Sequence, residues 1–328
     1  MVRANPITPF SRFAATRSPT LIVRLASPRG FCAGVKRAVL TVEKTLKEYG
    51  APVYVRHEIV HNRHVVERLA KMGAIFIEDL ADADDDRPIV FSAHGAPKSA
   101  HADARARNLL KIDATCPLVH KVHAQTRRYV ATGHHVYLIG HDGHPEVIGT
   151  TGQVPVGTVT LIESIHDIAH LPDHDGAKAY VTQTTLSVDE TSDIIAALKE
   201  RFPDIVAPQK EDICYATSNR QNAVKAIAPG TDLFVVIGSG TSSNSKQLVD
   251  TARKSGATRA VLVEDCNAFD FAMLEHVSVL GLSAGASAPE YLVEEFLSAL
   301  TDHKKIEIDT ITTTDENISF NLPLPLAG

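Results

Sequence analysis

Residues 28–38 read Pro-Arg-Gly-Phe-Cys-Ala-Gly-Val-Lys-Arg-Ala, and they follow the apolar run Leu21-Ile22-Val23-Arg24-Leu25-Ala26. That run has strand length and β-branched content, and Val35, Ala38, Val39, Val42 and Leu46 after it fall at helical spacing. Cys32 therefore stands where a strand gives way to a helix. Gly30 and Gly34 on either side let backbone approach a ligand closely, and the positive end of the helix favours the thiolate that metals bind. A single cysteine so placed also fits a small apolar core residue. Its setting, however, recurs.

Asp113-Ala114-Thr115-Cys116-Pro117-Leu118 and Glu211-Asp212-Ile213-Cys214-Tyr215-Ala216-Thr217 each put a cysteine just ahead of a helix-like stretch with a short polar neighbour. Cys116 lies 84 positions after Cys32 and Cys214 lies 98 after Cys116, so the chain delivers one thiol per roughly equal third. Cys266, in Glu264-Asp265-Cys266-Asn267, lacks the glycines and the following helix pattern and reads as an unpaired bystander.

Strand-like runs alternate with helix-like segments to about residue 300, the pattern of parallel sheets with helices on both sides. The expected fold class is α/β, with three similar units each giving one cysteine to a shared centre. The units are placed at 34–116, 117–210 and 21–33 plus 211–300, with 301–328 as a C-terminal tail. Helices are expected over 35–49, 62–72, 100–108, 118–132, 146–151, 188–202, 219–227, 245–255 and 289–301. Residues 1–20 carry Arg3, Arg12 and Arg17, three prolines and no acid, and read as a disordered extension or over-long start rather than a transit peptide. Asp82, Asp84, Asp85 and Asp86 read as a solvated turn.

A 328-residue chain that is 44% hydrophobic and 22% charged has the composition of a packed globular protein. A net charge of −6 gives no general basic field, which argues against nucleic acid as a partner and requires any polyanionic ligand to find a local site. No run approaches the ~18 apolar residues of a membrane span, and no apolar signal-peptide core is present. Four widely spaced cysteines without a secretory segment favour metal or catalysis over disulfides, with the cytoplasm as the expected compartment.

In open α/β sheets ligands sit beyond the carboxyl ends of the strands. Here Ile89-Val90-Phe91 runs into Ser92-Ala93-His94-Gly95, and Val136-Tyr137-Leu138-Ile139 into Gly140-His141-Asp142-Gly143-His144-Pro145-Glu146. Ala179-Tyr180-Val181 runs into Thr182-Gln183-Thr184-Thr185, and the strand-like runs at 233–237 and 277–280 lead to Ser242-Ser243-Asn244-Ser245 and to Ser287. These five loops and the Cys32 loop are expected to face one pocket.

Three thiolates drawn from distant parts of a chain suit zinc or an iron-sulfur cluster. A structural zinc would want paired C-x2-C spacings, and the chain has none. A cubane held by three cysteines leaves one iron open as a Lewis acid. His61, His94, His144, Ser242, Ser243, Asn244 and Ser287 are donors suited to a phosphate or diphosphate, helped by helix starts after Ser245 and Ala288. Glu146, after His144-Pro145, is placed to relay a proton to a leaving hydroxyl, or is an ordinary helix-terminal glutamate. Gly238-Ser239-Gly240 after a strand invites a dinucleotide site, but Ser243 replaces the third glycine. A nicotinamide-dependent enzyme is the lesser alternative.

The motifs PRGFCAGVKRA, YVRHEIVHN, FSAHG, DATCPLV, GHPEVIGT, TQTTLS, EDICYATSNRQ, SSNS and SAGASAP, in that order over about residues 21–322, resemble the 4-hydroxy-3-methylbut-2-enyl diphosphate reductase (LytB) family. The resemblance implies a trefoil of α/β units around one 4Fe-4S cluster. It implies reductive removal of the allylic hydroxyl of (E)-4-hydroxy-3-methylbut-2-enyl diphosphate, giving isopentenyl and dimethylallyl diphosphates, as the last step of the non-mevalonate isoprenoid pathway. Carried over by position, Cys32, Cys116 and Cys214 are implied cluster ligands, and His61, His94, His144, Ser242, Ser243, Asn244 and Ser287 an implied diphosphate cradle. Glu146 is the implied proton relay, with His144 beside it and Thr184 as its hydrogen-bonding helper near the substrate hydroxyl. Ferredoxin or flavodoxin is the implied electron donor. The 20-residue extension has no counterpart in the shorter members, and Cys266 is not a family ligand. A non-catalytic iron-sulfur sensor is the alternative, against which the presence of Glu146, Thr184 and the whole cradle argues.

Overall fold

Strand β1 (Leu21–Ser27) sends Leu21, Val23 and Leu25 into the interior and hands the chain to helix α1 (Ala33–Tyr49). The buried Ala38, Val39, Val42 and Leu46 of α1 recur at the spacing of one helix face. That face does not return to β1. It packs on a four-stranded sheet built from β2 (Val53–Arg56), α2 (Arg63–Lys71), β3 (Ala74–Ile77), β4 (Ile89–Phe91), α3 (Lys98–Ala106) and β5 (Lys111–Asp113), in strand order β3-β2-β4-β5. A three-stranded sheet follows, made by α4 (Pro117–Ala131), β6 (His135–Ile139), α5 (Pro145–Thr151), β7 (Val159–Ile162), α6 (Ile165–Ala169), β8 (Lys178–Thr182) and α7 (Val188–Arg201), in the order β7-β6-β8.

The remaining elements are α8 (Tyr215–Ile227), β9 (Leu233–Ile237), α9 (Ser243–Lys254), β10 (Ala260–Val263), β11 (Val279–Ala284), α10 (Glu290–His303) and β12 (Ile306–Thr312). They join β1 in a five-stranded sheet of order β10-β9-β11-β1-β12, and the strand pairings in all three sheets are parallel. β9 is buried along its whole length. Leu233, Val235 and Ile237 face a core with Phe296 of α10, while Phe234 and Val236 face one with Leu248 of α9, so both faces are covered, as its unbroken apolar run requires.

The computed structural model describes residues 20–172 and 176–326, so the extension expected over 1–20 lies, but for Thr20, outside the described residues. Among those described, no helix is long and apolar enough to cross a membrane. Several expectations need correction. α8 starts at Tyr215 rather than residue 219, and α9 at Ser243 rather than 245, because Cys214 and Ser242 act as their N-caps. α10 begins at Glu290, after Pro289. Within the stretch expected as a C-terminal tail, α10 runs to His303, and β12 pairs with β1 from Leu21↔Ile306 to Ser27↔Thr312. β12 is an edge strand with mostly exposed side chains, so it carries little of the apolar pattern that betrays a strand. In the aspartate cluster, Asp84 accepts the Tyr54 hydroxyl at 2.9 Å and Asp85 pairs with Arg107.

Candidate active site

Each of the three spaced cysteines is a helix N-cap: Cys32 of α1, Cys116 of α4 and Cys214 of α8. Cys32 Sγ accepts the Val35 N–H and Cys214 Sγ the Thr217 N–H, both at 3.4 Å, and Thr217 Oγ1 lies 3.1 Å from Cys214 Sγ. Cys116, followed by Pro117, makes no capping bond. The cysteine backbones are tied to strand-end loops. The Cys32 N–H donates to the Ala286 carbonyl at 3.2 Å, Cys116 to Ala93 at 2.9 Å and Cys214 to Thr184 at 3.0 Å. Those loops follow β11, β4 and β8, so one arrangement is made once per sheet.

The thiols and loops line one pocket. Its wall carries Cys32, Cys116, Cys214, His61, His94, His144, Glu146, Thr184, Ser242, Ser243, Asn244 and Ser287, which are all the residues singled out from the sequence. Thr185 and Thr217 also line it and were not singled out. Thr217 was visible as the third residue after a capping cysteine, where the N-cap bond falls. Cys266 packs half-buried against the core of the five-stranded sheet instead. Gly238 of the Gly-Ser-Gly loop serves packing, since a Cβ there would lie 2.3 Å from Ser245 Oγ on α9.

Gly34 has a sharper role. A Cβ on it would stand 2.7 Å from Cys116 Sγ and 3.8 Å from Cys32 Sγ, so its bare backbone is what lets two thiols from different sheets share this space. A helix end does not by itself make thiolates of Cys116 and Cys214. Burial pushes Cys116 up to about 12 and Cys214 up to about 11, with the neighbouring Cys32 adding to both. Desolvation outweighs the helix dipole here.

The imidazoles form a cluster at the other end. His61 and His94 stack at 4.1 Å between ring centroids, and His144 meets His61 edge-on at 5.5 Å. His144 Nδ1 accepts the Glu146 N–H at 3.1 Å, which puts the ring proton on Nε2, and burial lowers its pKa to about 3. Burial likewise holds His94 well below the ordinary histidine value. His61 Nδ1 meets Glu58 Oε2 at 3.0 Å. His61 Nε2, His94 Nδ1 and Asn244 Nδ2 are buried with no hydrogen-bond partner, and polar atoms so placed ask for a ligand. Asn244 is held by its other end, where Oδ1 accepts the Ala286 N–H at 2.8 Å. Ser287 donates to the His61 carbonyl at 2.9 Å, joining the five-stranded sheet to the four-stranded one across the cavity. No lysine or arginine among the described residues lines the cavity.

Glu146 sits in the first turn of α5, 2% exposed. Burial raises its carboxyl to about 7, against the hydrogen bonds from Thr184, which pull the other way. A carboxyl poised near neutrality, in a cavity with three thiols and a set of uncharged donors, can give up and recover a proton.

A family model described as LytB protein matches residues 23–301. The chain is 55% identical over 314 residues to the 4-hydroxy-3-methylbut-2-enyl diphosphate reductase of Hyphomonas neptunium, covering 95% of this chain and 100% of that protein. It is 56% identical over 311 residues to the enzyme of the same name from Phenylobacterium zucineum, covering 94% and 99%. The solved structure of the E-1-hydroxy-2-methyl-but-2-enyl-4-diphosphate reductase from Plasmodium falciparum superposes with a TM-score of 0.90 at 38% identity, covering 94% of this chain and 97% of that one. With its three parallel sheets and their shared cavity, the chain belongs to the LytB family of 4-hydroxy-3-methylbut-2-enyl diphosphate reductases.

Proposed function

We propose that this chain reductively removes the allylic hydroxyl of (E)-4-hydroxy-3-methylbut-2-enyl diphosphate, releasing water with isopentenyl and dimethylallyl diphosphates, the terminal step of the non-mevalonate pathway. Two electrons and two protons balance the reaction: one proton leaves with the hydroxyl as water and the other ends on the carbon skeleton. The observation that carries this reading is the placing of Glu146, buried and held by Thr184, in the same cavity as the three thiols and the cluster of uncharged donors.

The thiols fit an iron-sulfur cluster. Cys32, Cys116 and Cys214 face one cavity, and Gly34 leaves space at two of the sulfurs. Among the described residues no three His, Cys, Asp or Glu side chains are grouped to hold a single metal ion, whereas a 4Fe-4S cluster spreads its three thiolates over separate irons. When bound, the cluster supplies electrons to the allylic system and, at the iron without a thiolate, a Lewis acid for the hydroxyl.

Everything else falls to the chain's own groups. His61, His94 and His144, with Ser242, Ser243, Asn244 and Ser287, hold the diphosphate through hydrogen bonds and the N-terminus of α9. Glu146 delivers the proton to the departing hydroxyl, and Thr184 keeps the carboxyl oriented. Ferredoxin or flavodoxin supplies the electrons, and all four cysteines are free, which suits a reducing cytoplasm.

Anaerobic purification, iron and sulfide analysis and turnover of the hydroxylated diphosphate test the reading together. The expected protein is brown, carries iron with sulfide and yields both isoprenyl diphosphates. A colourless protein with stoichiometric zinc, or an iron-loaded one that leaves the substrate intact under strong reductant, overturns it.

A further inference from the structure

Five residues after Cys32 comes Arg37, five after Cys116 comes Lys121, and six after Cys214 comes Arg220. Each lies about one and a half turns into the helix that its cysteine caps. Arg37 Nη1, on α1, donates to the carbonyls of Ala114 and Thr115, both at 3.0 Å, the two residues before Cys116. Lys121 Nζ, on α4, donates to the carbonyls of Lys210 at 2.8 Å and Glu211 at 2.7 Å and pairs with Asp212 Oδ1 at 3.1 Å, the run leading to Cys214. Arg220, on α8, donates through Nε and Nη2 to the Gly30 carbonyl at 3.0 and 2.8 Å, two residues before Cys32. The links close a ring. The helix begun by each cysteine grips the loop that delivers the next, and the third grips the first.

Surface solvation does not account for this. Arg37 and Arg220 are buried, Arg220 completely, and a buried guanidinium costs solvation unless its N–H groups are used. The C-terminal segment completes the partners of both. Glu316 pairs with Arg220 Nη1 at 3.0 Å, and the Asn321 carbonyl accepts from Arg37 Nε at 2.7 Å. General glue between units would put cations anywhere along the interfaces. Here a cation five or six residues after each cysteine is used three times.

We propose that Arg37, Lys121 and Arg220 are positioning residues that hold the three thiol-bearing loops at fixed mutual spacing, and that this ring governs how firmly the three cysteines retain a metal group. The second half rests on the cluster reading above. The first half is a property of the chain alone.

The decisive experiment maps iodoacetamide alkylation of the metal-free full-length chain by mass spectrometry, alongside iron release to a chelator from the anaerobically isolated protein. Arg37→Met is expected to speed alkylation of Cys116, Lys121→Met that of Cys214 and Arg220→Met that of Cys32, each by about tenfold, as loss of charge-assisted bonds lets one loop open locally. Each variant should also shed iron faster, and Lys121→Arg should restore the parent behaviour. Arg107→Met is the control, since Arg107 binds the Leu80 and Ala83 carbonyls away from the cavity and its loss should leave all three thiols at parent rates. Should Arg220→Met fail to fold, Lys121→Met decides, because that side chain is 32% exposed. A uniform rise at all three cysteines that tracks melting temperature, Arg107→Met included, would reduce the ring to ordinary packing, and unchanged rates would remove it. An unmodified protein that takes up no iron would overturn the cluster reading, while the alkylation pattern would still decide the ring.

Discussion

Thr184 holds both oxygens of the Glu146 carboxyl: its backbone N–H donates to Oε1 at 2.7 Å and its hydroxyl to Oε2 at 3.0 Å. The same residue accepts the Cys214 N–H on its carbonyl, so the acid and one thiol are registered through a single threonine. Donated hydrogen bonds favour the carboxylate and burial favours the acid, and burial prevails, leaving the group near 7.

Glu146→Gln keeps the size of the side chain and removes the proton. Turnover should fall by ~100-fold or more under saturating reductant, with substrate affinity near normal. Near-normal turnover would return Glu146 to a helix-terminal role. Stability supplies a second measurement. The native carboxyl is raised from 4.5 to about 7, so the native state binds more protons than the unfolded one between those values, and stability falls as pH rises through that window. Glutamine has no such slope. The variant should gain on the parent between pH 4.5 and pH 8, by up to about 3 kcal/mol at ~1.4 kcal/mol per unit, and denaturant melts at the two pH values measure it.

Thr184→Val deletes the hydroxyl bond and keeps the backbone one. Its turnover defect should be milder than that of Glu146→Gln. Because the lost bond favours the carboxylate, the pKa of Glu146 should rise further, and the alkaline fall of kcat should move to higher pH. A fall that moved to lower pH would mean the threonine does not act through this carboxyl.

Gly34→Ala places a methyl group 2.7 Å from Cys116 Sγ if nothing moves. Alanine is the better helix former by roughly 0.5 to 1 kcal/mol, so the fold should persist while the sulfur is displaced. Iron content should drop sharply with an unchanged far-ultraviolet spectrum, as for Cys32→Ser, Cys116→Ser or Cys214→Ser. Cys266→Ser, remote from the cavity, should lose none. Full iron in Gly34→Ala would show that the thiols tolerate a different spacing.

Asn244→Ala removes the unpartnered Nδ2 donor and the Oδ1 acceptor that fixes the Ala286 N–H. Substrate binding should weaken by ~1.5 to 3 kcal/mol, the range of one hydrogen bond to a charged group, with the iron content unchanged. Equal affinity in this variant and in the alanine variants of Ser242, Ser243 and Ser287 would put the diphosphate elsewhere.

The sequence by itself determined the local chemistry. A cysteine before a helical pattern becomes an N-cap, a run such as Leu233–Ile237 becomes a central strand, and loops after strands gather at one end of a parallel sheet, because each outcome follows from neighbours a few positions away. It also assembled the membership of the cavity wall, since His61, His94, His144, Glu146, Thr184 and the serine-asparagine run all sit in such loops or in the first turn of the helix that follows. Tertiary structure alone decided their electrostatics. Helix position suggested thiolates, yet desolvation by distant segments raises Cys116 and Cys214, and Glu146 is raised likewise by what surrounds it rather than by His144 and Pro145. The place of β12 was hidden because an exposed edge strand carries little apolar pattern. Arg37, Lys121 and Arg220 were legible only as cations on helices. The cysteine-loop carbonyls they bond lie 76 or more positions away, and a backbone carbonyl carries no residue-specific mark in a sequence.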